Sequence, residues 1–150
     1  MYNYTEEVAN QLNSLLEKNY DAEKGYRTAS ENAKNNNLTL YFEQKANERK
    51  NFTQDLKAEI KNFGKTPEQN GSLTGSVHRV WMNTKSFLSP ETDEAMLEEA
   101  LRGEKSALEE YDQVINSKEV LPKSTTLILE NQRNMILKDA VNIKRLEDLK

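Results

Sequence analysis

Four long stretches of this chain repeat apolar residues at three- and four-residue spacing, and near the middle of each the stripe is broken by charged or amide side chains. That spacing is the period of an α-helix with one buried face. From about Thr5 to Ala33 the stripe is Val8, Leu12, Leu15, Leu16, Asn19, Ala22, Glu23, Tyr26 and Ala29. From about Leu38 to Asn62 it is Leu38, Phe42, Lys45, Arg49, Phe52, Leu56 and Ile60, with Phe63 beyond the end. A third stretch, about Glu91 to Ile115, carries Met96, Leu97, Ala100, Leu101, Glu104, Leu108, Tyr111 and Ile115. The fourth, from a cap at Ser124 to about Asp148, carries Ile128, Gln132, Met135, Ile136, Asp139, Ile143 and Leu146. No segment alternates with period two, and 5 Gly and 3 Pro in 150 residues leave few breaks. The expectation is one all-α domain over residues 1–150.

The connections set the architecture. Thr5 is placed to cap the first helix, with Glu6 and Glu7 favourable in its first turn. Lys34-Asn35-Asn36-Asn37 makes a tight polar turn into the second helix, which Gly64 is placed to end in the left-handed conformation, with Pro67 blocking an immediate restart. Residues 64–71 read as loop, and Ser72 to Leu88 as a shorter helix carrying Leu73, Val77, Val80, Trp81 and Phe87, closed by Ser89-Pro90. A connection of that length can carry the chain from one end of a bundle to the other. The predicted fold is therefore a four-helix bundle of two hairpins joined by a long crossover with an extra short helix, which is ferritin-like connectivity.

Composition removes several classes of function. Charged residues make up 31% and the net charge is −4, which argues against nucleic acid as a partner because phosphate binding wants a concentrated basic face. With no cysteine there is neither a disulfide framework nor a thiolate ligand or nucleophile. The N-terminal MYNYTEEVANQL lacks the basic segment and apolar core of a signal peptide, and no apolar run is long enough for a bilayer. Cytoplasmic location without membrane association is the expectation. No glycine-rich phosphate loop and no Ser–His–Asp set is present.

What remains is the polar layer. Folding each hairpin about its turn, with both arms rising about 1.5 Å per residue, puts Glu23 opposite Glu48 and Arg49, and Glu104 between Gln132 and Asp139. Glu23, Glu48, Glu104 and Asp139, one on each helix, are the pattern of a di-metal carboxylate site holding Fe or Mn. Such sites also draw on Glu-x-x-His pairs. Here Asn51 follows Glu48 and Asn142 follows Asp139 at that spacing, and the single histidine, His78, lies outside the four long helices. Arg49 also falls nearer the centre of its stripe than Glu48 does, where it competes with a cation for Glu23 and Glu104. The leading expectation is a core hydrogen-bonded network of Glu23, Arg49, Glu104 and Gln132, since buried charges persist when paired. Tyr26 and Tyr111, one or two turns from Glu23 and Glu104, are expected in the core with their hydroxyls reaching a partner. Arg79 and Arg102 are expected in surface pairs, and His78, beside Trp81, in packing or capping.

The segments Asp21-Ala22-Glu23-Lys24-Gly25-Tyr26, Glu48-Arg49, Gly71-Ser72-Leu73-Thr74-Gly75 leading into His78-Arg79-Val80-Trp81-Met82, and Arg102-Gly103-Glu104 leading to Tyr111 together resemble a bacterial family. It is the ferritin-like four-helix-bundle family catalogued as a domain of unknown function and met among stress-associated genes. The resemblance covers nearly the whole chain and implies a small cytoplasmic bacterial protein of that fold, with no established activity. Members often carry a His in the last helix, where this chain has Ala140, so the resemblance brings no imidazole ligand here. The expected role is non-catalytic: a structural, stress-related or partner-binding bundle, with a homodimer through its faces compatible with stripes this wide. The alternative is a di-metal protein for metal storage or oxidation.

Overall fold

The computed structural model describes residues 4–69, 92–145 and 148–149. The expected crossover helix, with His78, Arg79 and Trp81, lies outside them. Four helices are found among the described residues: α1 Glu6–Asn32, α2 Asn36–Asn62, α3 Thr92–Ile115 and α4 Lys123–Asn142. None of them is long and apolar enough to cross a membrane. The helices pair as two hairpins, α1 along α2 and α3 along α4, and the hairpins meet through α1 with α3 and α2 with α4.

Local chemistry explains most of the boundaries. The Thr5 hydroxyl accepts from the Val8 backbone N–H at 3.1 Å, and the Asn35 side chain accepts from Leu38 N–H at 3.0 Å, so each cap satisfies one of the donors a helix start leaves over. Asp93, in the first turn of α3, accepts from the backbone N–H groups of Lys34 and Asn35 at 2.9 and 2.7 Å, which ties the α1–α2 turn to the second hairpin. Gly64 has φ 82°, and the N–H groups of Gly64 and Lys65 bond back to the carbonyls of Lys61 and Ile60. This is the Schellman ending that the left-handed residue makes possible.

The last helix departs from expectation at both ends. Its N-cap is Pro122, not Ser124, whose hydroxyl instead donates to Glu59 at 2.7 Å. It ends at Asn142 rather than near Asp148. Beyond it the Asp148 carboxylate accepts from the backbone N–H groups of Lys144 and Arg145 at 2.9 and 3.1 Å, closing a turn where the helix would have continued. On its buried face Gln132 and Ile136 point inward as expected, joined by Thr125 and Leu129, while Ile128 is only partly buried and Met135 is 48% exposed.

The core consists of two apolar clusters. One gathers Val8, Leu12, Leu15 and Leu16 with Phe52, Leu56, Ile60, Tyr111, Leu129 and Ile136. The other gathers Ala22, Tyr26 and Ala29 with Leu38, Phe42, Ala46, Met96, Leu97 and Ala100. Near the junction of the two sets polar side chains are buried as well, Asn19 on α1, Lys45 and Arg49 on α2 and Glu104 on α3, while Gln132 of α4 is buried between Leu129 and Ile136 of the first set.

Candidate functional site

Glu104 of α3 is the centre of this layer. It is 1% exposed, and its two oxygens face different cations. Oε1 accepts from Arg49 Nη2 at 2.6 Å and from the Tyr26 hydroxyl. Oε2 lies 3.1 Å from the Lys45 ammonium as an ion pair without hydrogen-bond alignment. Lys45 and Arg49 stand one turn apart on α2, so a single helix delivers both charges to one carboxylate.

The layer extends from there in two directions. Arg49 Nη1 donates to Asn19 Oδ1 at 2.8 Å, Asn19 donates to the Tyr111 hydroxyl at 2.9 Å, and Tyr111 donates to Gln132 Oε1 at 2.6 Å. Gln132 closes the run by donating to the Phe52 carbonyl at 3.3 Å. On the other side the Lys45 ammonium reaches Glu48 at 2.6 Å and Asp139 at 2.9 Å. Exposure grades outward along this branch, from 2% for the Lys45 side chain to 12% for Glu48 and 33% for Asp139.

Electrostatics hold the charged forms in place. Burial works against the Glu104 carboxylate, but Arg49 and Lys45 outweigh it and keep its pKa below the ordinary value. Burial likewise opposes the charges on Lys45 and Arg49, yet Glu104, joined for Lys45 by Glu48, raises both. Burial pushes Tyr26, Tyr41 and Tyr111 well up, with the Glu104 charge adding to it, so all three remain neutral hydroxyls. Glu48 is raised, because burial prevails over a Lys45 ammonium shared among three carboxylates. An ammonium fixed in its charged form is no nucleophile, and a tyrosine fixed as the phenol is no base.

The residues singled out from sequence fare differently. Arg49, Glu104 and Gln132 lie in one connected run. Glu23 does not join it: it sits at the edge of the α1 stripe and pairs with Arg27 one turn along at 3.2 Å, while Asn19 takes the inward position against Arg49. Glu48, Glu104 and Asp139 do converge, but on Lys45 Nζ, which stands where a shared cation would have to be. Asn51 and Asn142 are exposed. Among the described residues no group of three or more His, Asp or Glu side chains is arranged to hold a metal ion. In this arrangement the three carboxylates share the Lys45 ammonium. Lys45 as a partner of Glu104, and Asn19 as a partner of Arg49 and Tyr111, are not indicated by the sequence beyond their places in the stripes. Their signal was position alone, Lys45 one turn before Arg49. Arg102 pairs with Glu99 on the surface of α3.

Two clefts reach the layer from opposite faces. One, of about 340 Å³, opens between α1 and α3 and has Tyr26, Arg49 and Glu104 at its inner wall. The other, also about 340 Å³, opens between α2 and the end of α4 and reaches Tyr41, Lys45, Glu48 and Asp139.

Fold and core together define an all-α four-helix bundle with a buried lysine–arginine–glutamate layer. The chain belongs to the family described as Domain of unknown function (DUF2383), whose model matches residues 7–117. That span contains Asn19, Lys45, Arg49 and Glu104, whereas Gln132 and Asp139 lie beyond it. No match to the chain is found among curated proteins.

Proposed function

We propose that this protein is a ferritin-like bundle of the bacterial cytoplasm with a non-catalytic role, structural, stress-related or partner-binding, in which a charge network occupies the place of a di-metal centre. One observation carries the reading: Lys45 Nζ lies 2.6, 3.1 and 2.9 Å from Glu48, Glu104 and Asp139, so the protein supplies its own cation. The layer then serves to fix register between the hairpins, since only one alignment pairs both α2 cations with the α3 carboxylate. A binding role draws support from Leu127, Met135 and Val141, large apolar side chains exposed on α4.

The test is metal loading. Protein equilibrated with Fe(II) or Mn(II) and desalted should retain no stoichiometric metal by elemental analysis, and its melting temperature should not respond to either ion. The competing reading, a di-metal protein for storage or oxidation, requires a full di-metal complement that disappears in Glu104→Ala. That result would overturn the proposal.

A further inference from the structure

The outward side of α4 carries a second stripe, opposite the one it turns to the core. Leu127, Glu130, Asn134, Leu137 and Val141 recur at alternating spacings of three and four, and all five are exposed. The inward residues Thr125, Leu129, Gln132 and Ile136 occupy the other face of the same helix. Alternation of three and four is the repeat of a coiled-coil seam, whose positions mesh with those of a helix lying alongside. Leu127, Leu137 and Val141 are 50%, 36% and 58% exposed, so three large apolar side chains stand in water along one line.

The polar members of the stripe choose the partner and its direction. A parallel second copy would set Glu130 against Glu130 of that copy, two like charges inside the seam. In an antiparallel copy the alignment that sets Leu127 against Leu137 also sets Glu130 against Asn134, each contact made twice by symmetry. The Asn134 amide can then donate to the Glu130 carboxylate, which has no ion pair among the described residues. Arg133, held at Asp112, stands on the same flank and at nearly the same height, and brings a cation beside that carboxylate. Shifting the alignment by one layer sets Glu130 against Val141 in one direction and Leu127 in the other, which would bury a charge against apolar surface. The stripe is thus complementary to itself in one antiparallel alignment.

We propose that α4 docks antiparallel on α4 of a second copy of this chain, Leu127 on Leu137 and Glu130 on Asn134 across a two-fold axis. This rests on the partner-binding reading of the exposed α4 face and names the partner. Three apolar residues per copy make a small contact, so the dimer forms reversibly.

Sedimentation velocity of the full chain over a concentration series should show a monomer–dimer equilibrium. Leu137→Glu should weaken it about tenfold or more, with helicity by circular dichroism unchanged. The chain has no cysteine, so introduced thiols report the direction of packing. Leu127→Cys mixed with Leu137→Cys should give a disulfide-linked dimer on air oxidation, while neither variant does so alone. Antiparallel packing holds like positions about 15 Å apart along the axis, beyond the roughly 7 Å of Cα separation that a disulfide spans. A chain monomeric throughout, its α4 face left to another protein, would overturn the proposal. So would a dimer that Leu137→Glu leaves intact, or cross-linking of Leu127→Cys with itself. Each of these leaves the non-catalytic reading standing, because that reading falls on metal retention and not on oligomeric state.

Discussion

Replacing Arg49 by methionine tests the central charge layer directly. Methionine keeps much of the apolar stem and removes the guanidinium. With it go the 2.6 Å pair to Glu104, the 2.8 Å bond to Asn19 and the placement of the charge 5.9 Å from the Phe52 ring. Breaking a buried ion pair by deleting one partner costs about 3–5 kcal/mol, mainly because the other charge stays buried. Glu104 is not left alone here, since Lys45 remains 3.1 Å from Oε2 and Tyr26 still donates to Oε1. The expected loss therefore sits at the lower end, about 3 kcal/mol. For a chain of this size each kcal/mol shifts the melting temperature by roughly 2–4 °C, giving a fall of roughly 6–12 °C. Thermal unfolding followed by circular dichroism, with urea unfolding for the free energy, measures it. The double variant Arg49→Met, Glu104→Leu should recover part of the loss, because removing both charges relieves the stranded carboxylate while Lys45 keeps Glu48 and Asp139. A single variant that melts with the parent, or a double variant less stable than the single, would refute the reasoning that these charges are buried and coupled.

Acid should weaken the fold through Glu104. Its depressed pKa means that folding favours the ionised form, so this stability is fully present above the ordinary carboxylate pKa and drains as pH falls through the depressed value. Urea midpoints taken from neutral to acid pH should therefore drop in the parent and change less in Glu104→Gln, and parallel curves would contradict the assignment. Glu59 anchors the start of α4 to the end of α2 by accepting from Ser124 and Thr125, both at 2.7 Å. Glu59→Leu should cost about 1–3 kcal/mol and lower hydrogen-exchange protection in the first turn of α4, an effect absent if those hydroxyls pair with water instead.

The helices themselves were legible because each criterion for them is local. Stripe spacing, Thr5 and Asn35 as acceptors for the first free N–H groups, and Gly64 where a positive φ was needed are all properties of a few consecutive residues. In α4 the same logic ran short. Ile128-Leu129 and Met135-Ile136 are adjacent apolar pairs, so period alone allows either member inside, and contact with α2 and α3 selects Leu129 and Ile136. Ser124 had the chemistry of a cap, but Glu59, 65 positions away in sequence, claims its hydroxyl.

The site divides along the same line. That polar residues interrupt every stripe at mid-length, with Arg49 and Glu104 among them, is a fact of sequence, because burial of a helix face follows from position on that face. Which charge meets which is not. Glu23 and Glu48 differ by little in the one-dimensional pattern, yet Glu23 turns to Arg27 on its own helix while Glu48 meets Lys45. A helix turns about 100° per residue, so a shift of one position moves a carboxylate from the centre of the bundle to its rim. Only packing of the two hairpins against each other decides that shift. Composition and period therefore determined a four-helix bundle with a charged middle. The meeting of Lys45, a residue of no special promise in the sequence, with Glu48, Glu104 and Asp139 was decided by tertiary structure, since pairing energies depend on distances that no single helix contains.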